Sequence, residues 1–365
     1  LKQHVTFLAS DSLGGRLVGT PGIELAATYI TDHFISAGIE PLFGDSYRQE
    51  FEIELGRETA QEPRLVIAQR ELAYEDEFGV IPASGSGEVE GSIVISSGIP
   101  PDDADLSGKI LFAVVDPETE AQRWTVVGRD GLLEWMKDVA AKAHGRGAVG
   151  VVFVGTTEEP CHYFPIQRRY DVSDLCLVET SRTIVENVVG SISGIKAGEA
   201  RQYPDRRCHI AVEMTTRKVP VANIGGLIRG KTERYLVIGA HYDHLGYGEI
   251  ASSTPWRREV HNGADDNASG VAVLLEVARA LAAMPQPDRS IALVSFTAEE
   301  LGAVGSEYFV KNPPFPIDSL VAMINLDTVG RLENGRLIVF GARSAEEFSG
   351  ILDEIGKRYP CELIT

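Results

Sequence analysis

The last third of the chain alternates short apolar runs with longer segments in which apolar residues recur at helical spacing. Three apolar runs, residues 235–240, 291–296 and 320–326, predict three buried strands. Between the first two runs, one stripe of apolar positions predicts a helix: Val271, Leu274, Leu275, Ala278 and Leu281. This alternation of strands and helices predicts an α/β fold with an open sheet.

The first two thirds of the chain follow a different pattern. An N-terminal segment with one helical pattern gives way, from about residue 57 to 91, to a stretch rich in Glu, Gly and Ser, and then to short apolar runs between turns, which are typical of strands. The clearest unit there is a helical pattern at 131–144 followed by an apolar strand at 148–154. This pattern predicts a smaller β-rich module between the N-terminal segment and the α/β part of the chain.

Composition narrows the classes of partner and of site. The 365 residues, 44% of them hydrophobic, can bury a full core and leave room for a second module. A formal net charge of -19 argues against nucleic acid or an anionic membrane as the partner, because either needs a basic surface. No apolar run is long enough to span a membrane. The four cysteines show no CxxC spacing, which argues against a thiolate zinc site.

Acidic residues and a histidine follow the three predicted strands. His241 follows the first strand, Glu299 and Glu300 follow the second, and Asp327 follows the third. Asp266 stands just ahead of the predicted helix, at its N-terminus. In open α/β sheets the ligand crevice lies at the carboxyl ends of the strands, so we expect these side chains to converge there.

These residue types suit a zinc site. Imidazole and carboxylate donors without sulfur favour Zn²⁺, with Mn²⁺ or Co²⁺ as substitutes. In two-metal hydrolases a carboxylate can bridge two ions about 3.5–4 Å apart, and a carboxylate that binds no metal can accept a proton from water. The adjacent Glu299 and Glu300 would supply one ligand and one base. The alternative is that this pair complements the dipole of a following helix, just as Asp265 and Asn267 are interpreted as helix caps.

Four ordered motifs resemble those of the M28 family of zinc aminopeptidases: HYDHLG at 241–246, GADDNASG at 263–270, TAEELGAVGS at 297–306 and NLDTVGR at 325–331. The stretch GGRLVGTPG at 14–22 looks like the leader of that family. We interpret it as a structural loop, because a phosphate loop would follow a strand and end in GKS or GKT. Residues 76–210 are similar to the protease-associated domain that some members carry as an insertion, which would leave residues 1–75 and 211–365 for the metallopeptidase domain. The resemblance implies a three-layer α/β/α sandwich of the zinc-exopeptidase type on a mixed, mainly parallel sheet.

The resemblance implies a metal role for four residues. His241 and Asp327 match ligands of a first zinc ion, Glu300 matches a ligand of a second, and Asp266 matches the carboxylate that bridges both. A complete site of this family therefore holds two Zn²⁺ ions.

The resemblance also implies one more histidine ligand on the second ion, some tens of residues beyond the aspartate of the NLD motif. No histidine follows His261 in this sequence. His244 and His261 match no motif position, and we interpret each as a surface or hydrogen-bonded histidine. We therefore expect this chain to stop before that histidine, so that its second zinc site is incomplete and the chain binds at most one zinc ion tightly, or none. We expect it to be inactive or nearly so, whereas a longer natural product with the missing histidine would be a working exopeptidase.

Two further residues match catalytic positions of the family. Glu299 matches the general base, and Asp243 matches the acid that orients the histidine ligand. The implied function is a metal-dependent exopeptidase, an aminopeptidase that cleaves the N-terminal peptide bond of peptides through a metal-activated water. The implied location is secreted, periplasmic or otherwise extracytoplasmic.

Three alternatives remain from the sequence. A carboxypeptidase or dipeptidase would share these metal motifs, and basic residues in its pocket would indicate it. A glutaminyl cyclase is related in fold but uses a single zinc ion, which the paired acidic residues disfavour. A non-catalytic binding protein would use the insert as its interaction surface, and it would be expected to have lost Glu299 or Asp266, which are both present.

Overall fold

The computed structural model describes residues 1–115, 126–155, 171–196, 198–250, 259–359 and 362–364. Its helices are α1 Lys2–Leu8, α2 Pro21–Ser36, α3 Val126–Gly145, α4 Arg182–Val189, α5 Gly270–Ala282, α6 Val304–Lys311 and α7 Glu346–Arg358. Its strands are β1 Glu40–Pro41, β2 Arg48–Thr59, β3 Arg64–Ile67, β4 Arg70–Glu71, β5 Phe78–Val80, β6 Gly87–Ser97, β7 Lys109–Val114, β8 Gly150–Gly155, β9 Cys176–Ser181, β10 Ala200–Val212, β11 Met214–Ile228, β12 Thr232–His241, β13 Arg289–Phe296, β14 Leu320–Asn325, β15 Arg336–Ile338 and β16 Glu362–Ile364.

The chain divides into two compact units. The first unit comprises Leu1–Glu50, Ala222–His244 and His261–Thr365, and the second comprises Phe51–Val221 and Leu245–Val260. Each unit is built on its own sheet of mixed direction.

The sheet of the first unit has the strand order β1, β11, β13, β12, β14, with β2 also paired to β11. β12 runs parallel to β13 on one side and to β14 on the other, whereas β11 runs antiparallel to β13. The three strands predicted from the apolar runs are therefore neighbours that point in the same direction. Their carboxyl ends lie at one edge of the sheet.

Helices cover both faces of this sheet. On one face, Phe309 of α6 packs with Val237 and Phe296 in a buried apolar cluster. Side chains alternate along a strand, so Ile238 and Ala240 face the opposite side, where α5 packs on β12 and against α2. This is the three-layer arrangement predicted from the sequence, and it places the start of α5 beside the end of β12.

The third predicted strand, β14, is present but is not buried. Among the described strands it pairs only with β12, so it forms an edge, and its side chains Val321, Met323 and Ile324 are 40%, 43% and 50% exposed. The prediction of a third buried strand is therefore wrong in its burial. An apolar run predicts a strand, but it does not reveal whether a second neighbour covers that strand.

The second unit carries an eight-stranded sheet with the order β4, β3, β10, β6, β7, β8, β9, β5. β6 to β9 run parallel to one another. β10 pairs antiparallel with β6, and β5 pairs antiparallel with β9. β3 pairs antiparallel with β10 and with β4. α3 packs on one face beside Leu111 and Phe153, and α4 packs on the other beside Phe112 and Val178. The predicted helix at 131–144 and strand at 148–154 correspond to α3 and β8.

This unit extends beyond the range 76–210 predicted for the insert. β3 and β4 precede residue 76, and β3 joins the sheet by pairing with β10. The main-chain N–H of Ala60 donates to the carbonyl oxygen of Glu213 at 2.8 Å, so the two chain segments that enter and leave the sheet lie side by side there.

Among the described helices, none is long and apolar enough to cross a membrane.

Candidate metal centre

The predicted site residues start from the same edge of the sheet. His241 is the last residue of β12 and pairs with Phe296, the last residue of β13. Asn325, the last residue of β14, pairs with Gly239, two positions before His241. The polar segments that follow the three strands therefore begin close together, as expected for parallel neighbours.

Asp266 reaches this edge from a separate turn. Residues Ala264–Ser269 form one wide helical turn that leads into α5, and Asp266 within it has non-helical backbone angles. The buried side chain of Asn267 accepts the N–H of Gly270, the first residue of α5, at 3.0 Å and donates to the carbonyl of Leu326 at 2.9 Å. The capping role predicted for Asn267 is therefore confirmed, and the same side chain joins the Asp266 turn to the segment that carries Asp327.

Asp265 does not cap the helix. Its carboxylate accepts hydrogen bonds from the N–H of Gly330 and from the guanidinium of Arg331, both at 2.7 Å. The interpretation of Asp265 as a helix cap is therefore wrong, because the segment after β14 offers it donors that the sequence pattern could not reveal. Both neighbours of Asp266 thus link its turn to the segment after β14.

A first group of potential ligands consists of His241, Asp266 and Asp327, whose ligand atoms all lie within 4.8 Å of one another. His241 Nε2 lies 3.1 Å from Asp266 Oδ1 and 3.6 Å from Asp327 Oδ1. Two donors about 2.1 Å from a tetrahedral zinc ion are about 3.4 Å apart. The separations within this group therefore match those of ligands on a single ion.

A second group consists of His244, Asp266 and Glu300, whose ligand atoms also lie within 4.8 Å of one another. His244 Nδ1 lies 2.6 Å from Glu300 Oε1 and 4.0 Å from Asp266 Oδ1. Asp266 belongs to both groups, as a bridging carboxylate would.

His244 was not among the metal ligands predicted from the sequence. Only 8% of His244 is exposed, so its interpretation as a surface residue is wrong, whereas the hydrogen-bonded alternative agrees with its contact to Glu300. The structure brings an imidazole to the two carboxylates that the sequence analysis left without one. The signal that could have identified His244 is its place in the strand-end segment that begins with His241. His261 belongs to neither group among the described residues.

Two buried atoms at the centre of the site have no hydrogen-bond partner within the described part of the chain. They are His241 Nδ1 and Asp266 Oδ1. Buried polar atoms are usually satisfied, and an unsatisfied one costs free energy. Asp266 Oδ1 lies between the two groups, close to the imidazoles of both. A carboxylate oxygen in that position, with nitrogen and oxygen donors around it and no sulfur, fits a Zn²⁺ site.

Asp243 organises the surrounding main chain. It is 1% exposed, and its two carboxylate oxygens accept the main-chain N–H groups of Glu299 and Glu300 at 3.0 and 3.2 Å. Its Oδ1 also lies 3.6 Å from Nδ1 of His241. Asp243 therefore holds the two adjacent glutamates at the end of β13 in place beside the histidine at the end of β12.

Glu299 lies next to the ligand groups but belongs to neither. Its Oε2 is 3.9 Å from His241 Nε2, and its side chain remains partly exposed. Burial raises the pKa of Glu299, and the charges of Asp243, Glu300 and Asp327 add to this increase against the opposing effect of His241. α6 begins only at Val304, so Glu299 and Glu300 do not sit at its first turn, and the helix-dipole alternative loses its basis.

The charge balance of the site centres on His241. Burial lowers its pKa, but contacts with Asp243, Asp266 and Asp327 outweigh this effect and raise the pKa of His241 to about 12. The interaction with His241 in turn lowers the pKa of Asp266. In the absence of a metal ion, the carboxylates therefore hold a proton on the imidazole of His241. A metal cation at the same position would replace that proton.

Comparison with known proteins identifies relatives of this chain. The model of Peptidase family M28 matches residues 223–363. The aminopeptidase of Pseudomonas aeruginosa is 25% identical over 357 residues, which are 93% of this chain and 58% of that protein. The "probable lipoprotein aminopeptidase LpqL" of Mycobacterium tuberculosis is 23% identical over 355 residues, which are 92% of this chain and 59% of that protein. This chain thus spans less than two thirds of the length of these relatives.

A solved structure shares the fold. The zinc aminopeptidase BSAP from Bacillus subtilis aligns with a TM-score of 0.55 at 19% identity, covering 99% of this chain and 77% of that one. The predicted α/β fold is thereby confirmed. All the candidate ligands, together with Asp243 and Glu299, lie between residues 223 and 363. The part of the chain that carries the candidate metal centre is therefore the part that matches Peptidase family M28.

Proposed function

We propose that this protein is a metal-dependent aminopeptidase that hydrolyses the N-terminal peptide bond of peptides. The observation that carries the proposal is a pair of potential ligand groups that share Asp266, with Glu299 beside them and in neither. A shared carboxylate and a free carboxylate are the parts that a two-metal hydrolase needs. The match to Peptidase family M28 and the aminopeptidases among the relatives support this function.

Zinc is the metal that we propose for this site. His241, Asp266 and Asp327 would hold one ion, and Asp266 and Glu300 would hold the other, with His244 within reach of both carboxylates. Bound zinc lowers the pKa of water and polarises a peptide carbonyl.

Glu299 is proposed as the general base. Its raised pKa strengthens it as a proton acceptor, and its partly exposed side chain leaves room for water and substrate. The proton that Glu299 takes from the attacking water would then pass to the leaving amine. Asp243 would keep Glu299 in place through the main-chain hydrogen bond at 3.0 Å, and the negative charge of Asp243 would favour the orientation of His241 that directs Nε2 toward the carboxylates.

We further propose that the second unit includes a protease-associated domain that acts on substrate selection. Within the described residues, both potential ligand groups lie in the first unit, so the second unit contributes no donor to them. An extracytoplasmic location is also proposed, since one relative carries the name of a lipoprotein.

Steady-state rates measured with and without added Zn²⁺ test the proposed activity. We expect zinc-dependent hydrolysis of aminoacyl anilides and of dipeptides with a free amino terminus, and none of N-blocked dipeptides. Cleavage of N-blocked dipeptides alone would identify a carboxypeptidase, and cyclisation of N-terminal glutamine would identify a glutaminyl cyclase. Zinc binding without turnover of any substrate in the panel would contradict the proposal.

Metal analysis after desalting tests the two ligand groups separately. The sequence-based expectation is at most one tightly held ion and little activity, whereas an imidazole donor from His244 would allow two ions and the activity proposed above. Asp327→Asn should weaken the first site, and His244→Gln should weaken the second if His244 is a ligand. An unchanged number of bound ions in His244→Gln would show that His244 only contacts Glu300 by a hydrogen bond.

A further inference from the structure

Arg16 is a fully buried charged side chain at the end of a short 3₁₀ segment, Asp11–Arg16, that follows α1. It is 1% exposed, and its φ angle of 49° lies in the left-handed region that an arginine rarely adopts. Among the described residues, its guanidinium forms no ion pair within 4.0 Å. Burial of an arginine without a paired carboxylate costs free energy, so we expect other contacts of Arg16 to offset that cost.

The guanidinium donates to main-chain carbonyl oxygens of three separate segments. Its Nε donates to Tyr242 at 2.9 Å, its Nη1 to Asn262 at 2.8 Å and to Leu8, and its Nη2 to Gly263 at 2.9 Å. Arginine suits this task because its five N–H groups point in fixed directions within one plane.

Two of these segments carry the candidate metal ligands. Tyr242 lies between His241 and Asp243, and the main-chain carbonyl of Arg16 accepts the N–H of His244 at 3.2 Å. Gly263 begins the turn that carries Asp266 three residues later. Arg16 therefore contacts the strand end on one side and the Asp266 turn on the other. The distance of 3.1 Å between His241 Nε2 and Asp266 Oδ1 depends on the position of these two segments relative to each other.

The positive charge of Arg16 lies close to three carboxylates of the site. Burial lowers its pKa to about 10, and the nearby carboxylates of Asp243, Asp266 and Glu300 oppose this decrease, so the guanidinium stays charged at neutral pH. It is a fixed positive charge near a site that would bind cations. By charge alone, Arg16 would repel a metal ion rather than help to bind it.

We infer that Arg16 is a positioning residue of the metal centre, whose guanidinium holds the strand end with His241 and Asp243 against the turn with Asp266. This inference rests on the proposed metal-dependent function. It assigns Arg16 no contact with substrate or metal. The contribution of its hydrogen bonds to metal affinity exceeds the repulsion of its charge.

Zinc titration calorimetry of the whole protein tests the inference with Arg16→Gln and Arg16→Lys. Glutamine removes the charge and most of the donors, whereas lysine keeps the charge but cannot reach the same set of carbonyls. We expect zinc affinity to fall about 10–100-fold in both variants, as for other residues that orient ligands. The Co²⁺ absorption spectrum, which reports ligand geometry, should change in both variants.

The matched control is Arg57→Gln. Arg57 also donates to two main-chain carbonyls, those of Pro82 and Ser84, but it lies in the second unit. Its loss should lower thermal stability without changing zinc affinity or the Co²⁺ spectrum. A purely structural role of Arg16 would give the same result as this control.

The outcomes separate this inference from the proposed function. A wild-type protein that binds no zinc would overturn both. If the wild type binds zinc and the folded Arg16 variants bind it equally or more tightly, the inference alone is overturned. Tighter binding in Arg16→Gln but not in Arg16→Lys would show that Arg16 affects zinc binding only through its charge.

A second variant decides the question if both Arg16 substitutions prevent folding. A methyl group at Gly263 would clash with the carbonyl oxygen of Asp266 and would lie 2.5 Å from Cδ2 of His244 and 2.6 Å from Nη2 of Arg16. It would therefore press on the junction at which Arg16 joins the strand end to the Asp266 turn. Gly263→Ala should weaken zinc binding, whereas Gly44→Ala should not, because Gly44 has a similar positive φ and nothing within 4 Å of the added atom. Unchanged zinc affinity in Gly263→Ala would overturn the inference.

Discussion

Replacing Asp243 by asparagine removes one oxygen acceptor and one negative charge from the site while keeping the shape of the side chain. In the wild type, the two carboxylate oxygens accept the N–H groups of Glu299 and Glu300, and Oδ1 lies 3.6 Å from His241 Nδ1. Asparagine has a single oxygen, so its NH₂ group must face one of these N–H donors. One buried donor then loses its partner.

The lost partner sets the size of the expected effect. A buried donor without an acceptor costs about 1–3 kcal/mol. In the metal-free protein, removal of the negative charge relieves repulsion with Glu299 but also loses the attraction to the protonated imidazole of His241, so these two effects oppose each other. In the metal-bound protein, the unpaired N–H belongs to Glu299 or Glu300, so its cost falls on the segment that carries the base and a candidate ligand. We expect zinc affinity to fall about 10–100-fold, which corresponds to about 1.4–2.8 kcal/mol.

Zinc titration calorimetry with thermal unfolding of the metal-free protein measures both effects. Asp105→Asn is a matched control, because Asp105 also accepts a main-chain N–H, that of Ser107 at 3.0 Å, but lies in the second unit. The control should bind zinc as the wild type does. Wild-type zinc affinity in a folded Asp243→Asn variant would refute the role assigned to Asp243.

Three further predictions follow from the same geometry. Glu299→Gln should lower kcat about 10²–10⁴-fold with zinc content unchanged. Glu300→Gln should instead weaken zinc binding as its main defect. Loss of zinc in Glu299→Gln would contradict the role of Glu299 as base. Because the pKa of His241 is raised to about 12, zinc binding at pH 7 should release about one proton, and calorimetry in buffers of different ionisation heat should detect it. Replacement of residues 61–212 by a short glycine linker should preserve zinc affinity, since a main-chain hydrogen bond joins the two ends. Loss of zinc binding in a folded deletion variant would show that the second unit supports the site.

The local elements were predictable because their signals are short in range. The apolar runs that predicted β12 and β13 and the stripe that predicted α5 are periodic within a few residues, and burial selects that periodicity directly. The convergence of His241, Asp266 and Asp327 was predictable because parallel neighbouring strands end at one edge. The limits of the inserted unit were not predictable to the same extent, since β3 and β4 join its sheet only through a strand far along the chain, β10.

The sequence by itself determined the type of donor, the order of the motifs and the strand ends from which the donors extend, because each of these depends on residue identity and local periodicity. The tertiary structure decided which of these residues lie side by side. It placed His244 against Glu300, turned Asp265 toward Arg331, left β14 at an edge and buried Arg16 against Tyr242, which lies 226 residues away in the chain. Contacts of that range depend on how whole elements pack, and no local pattern records them.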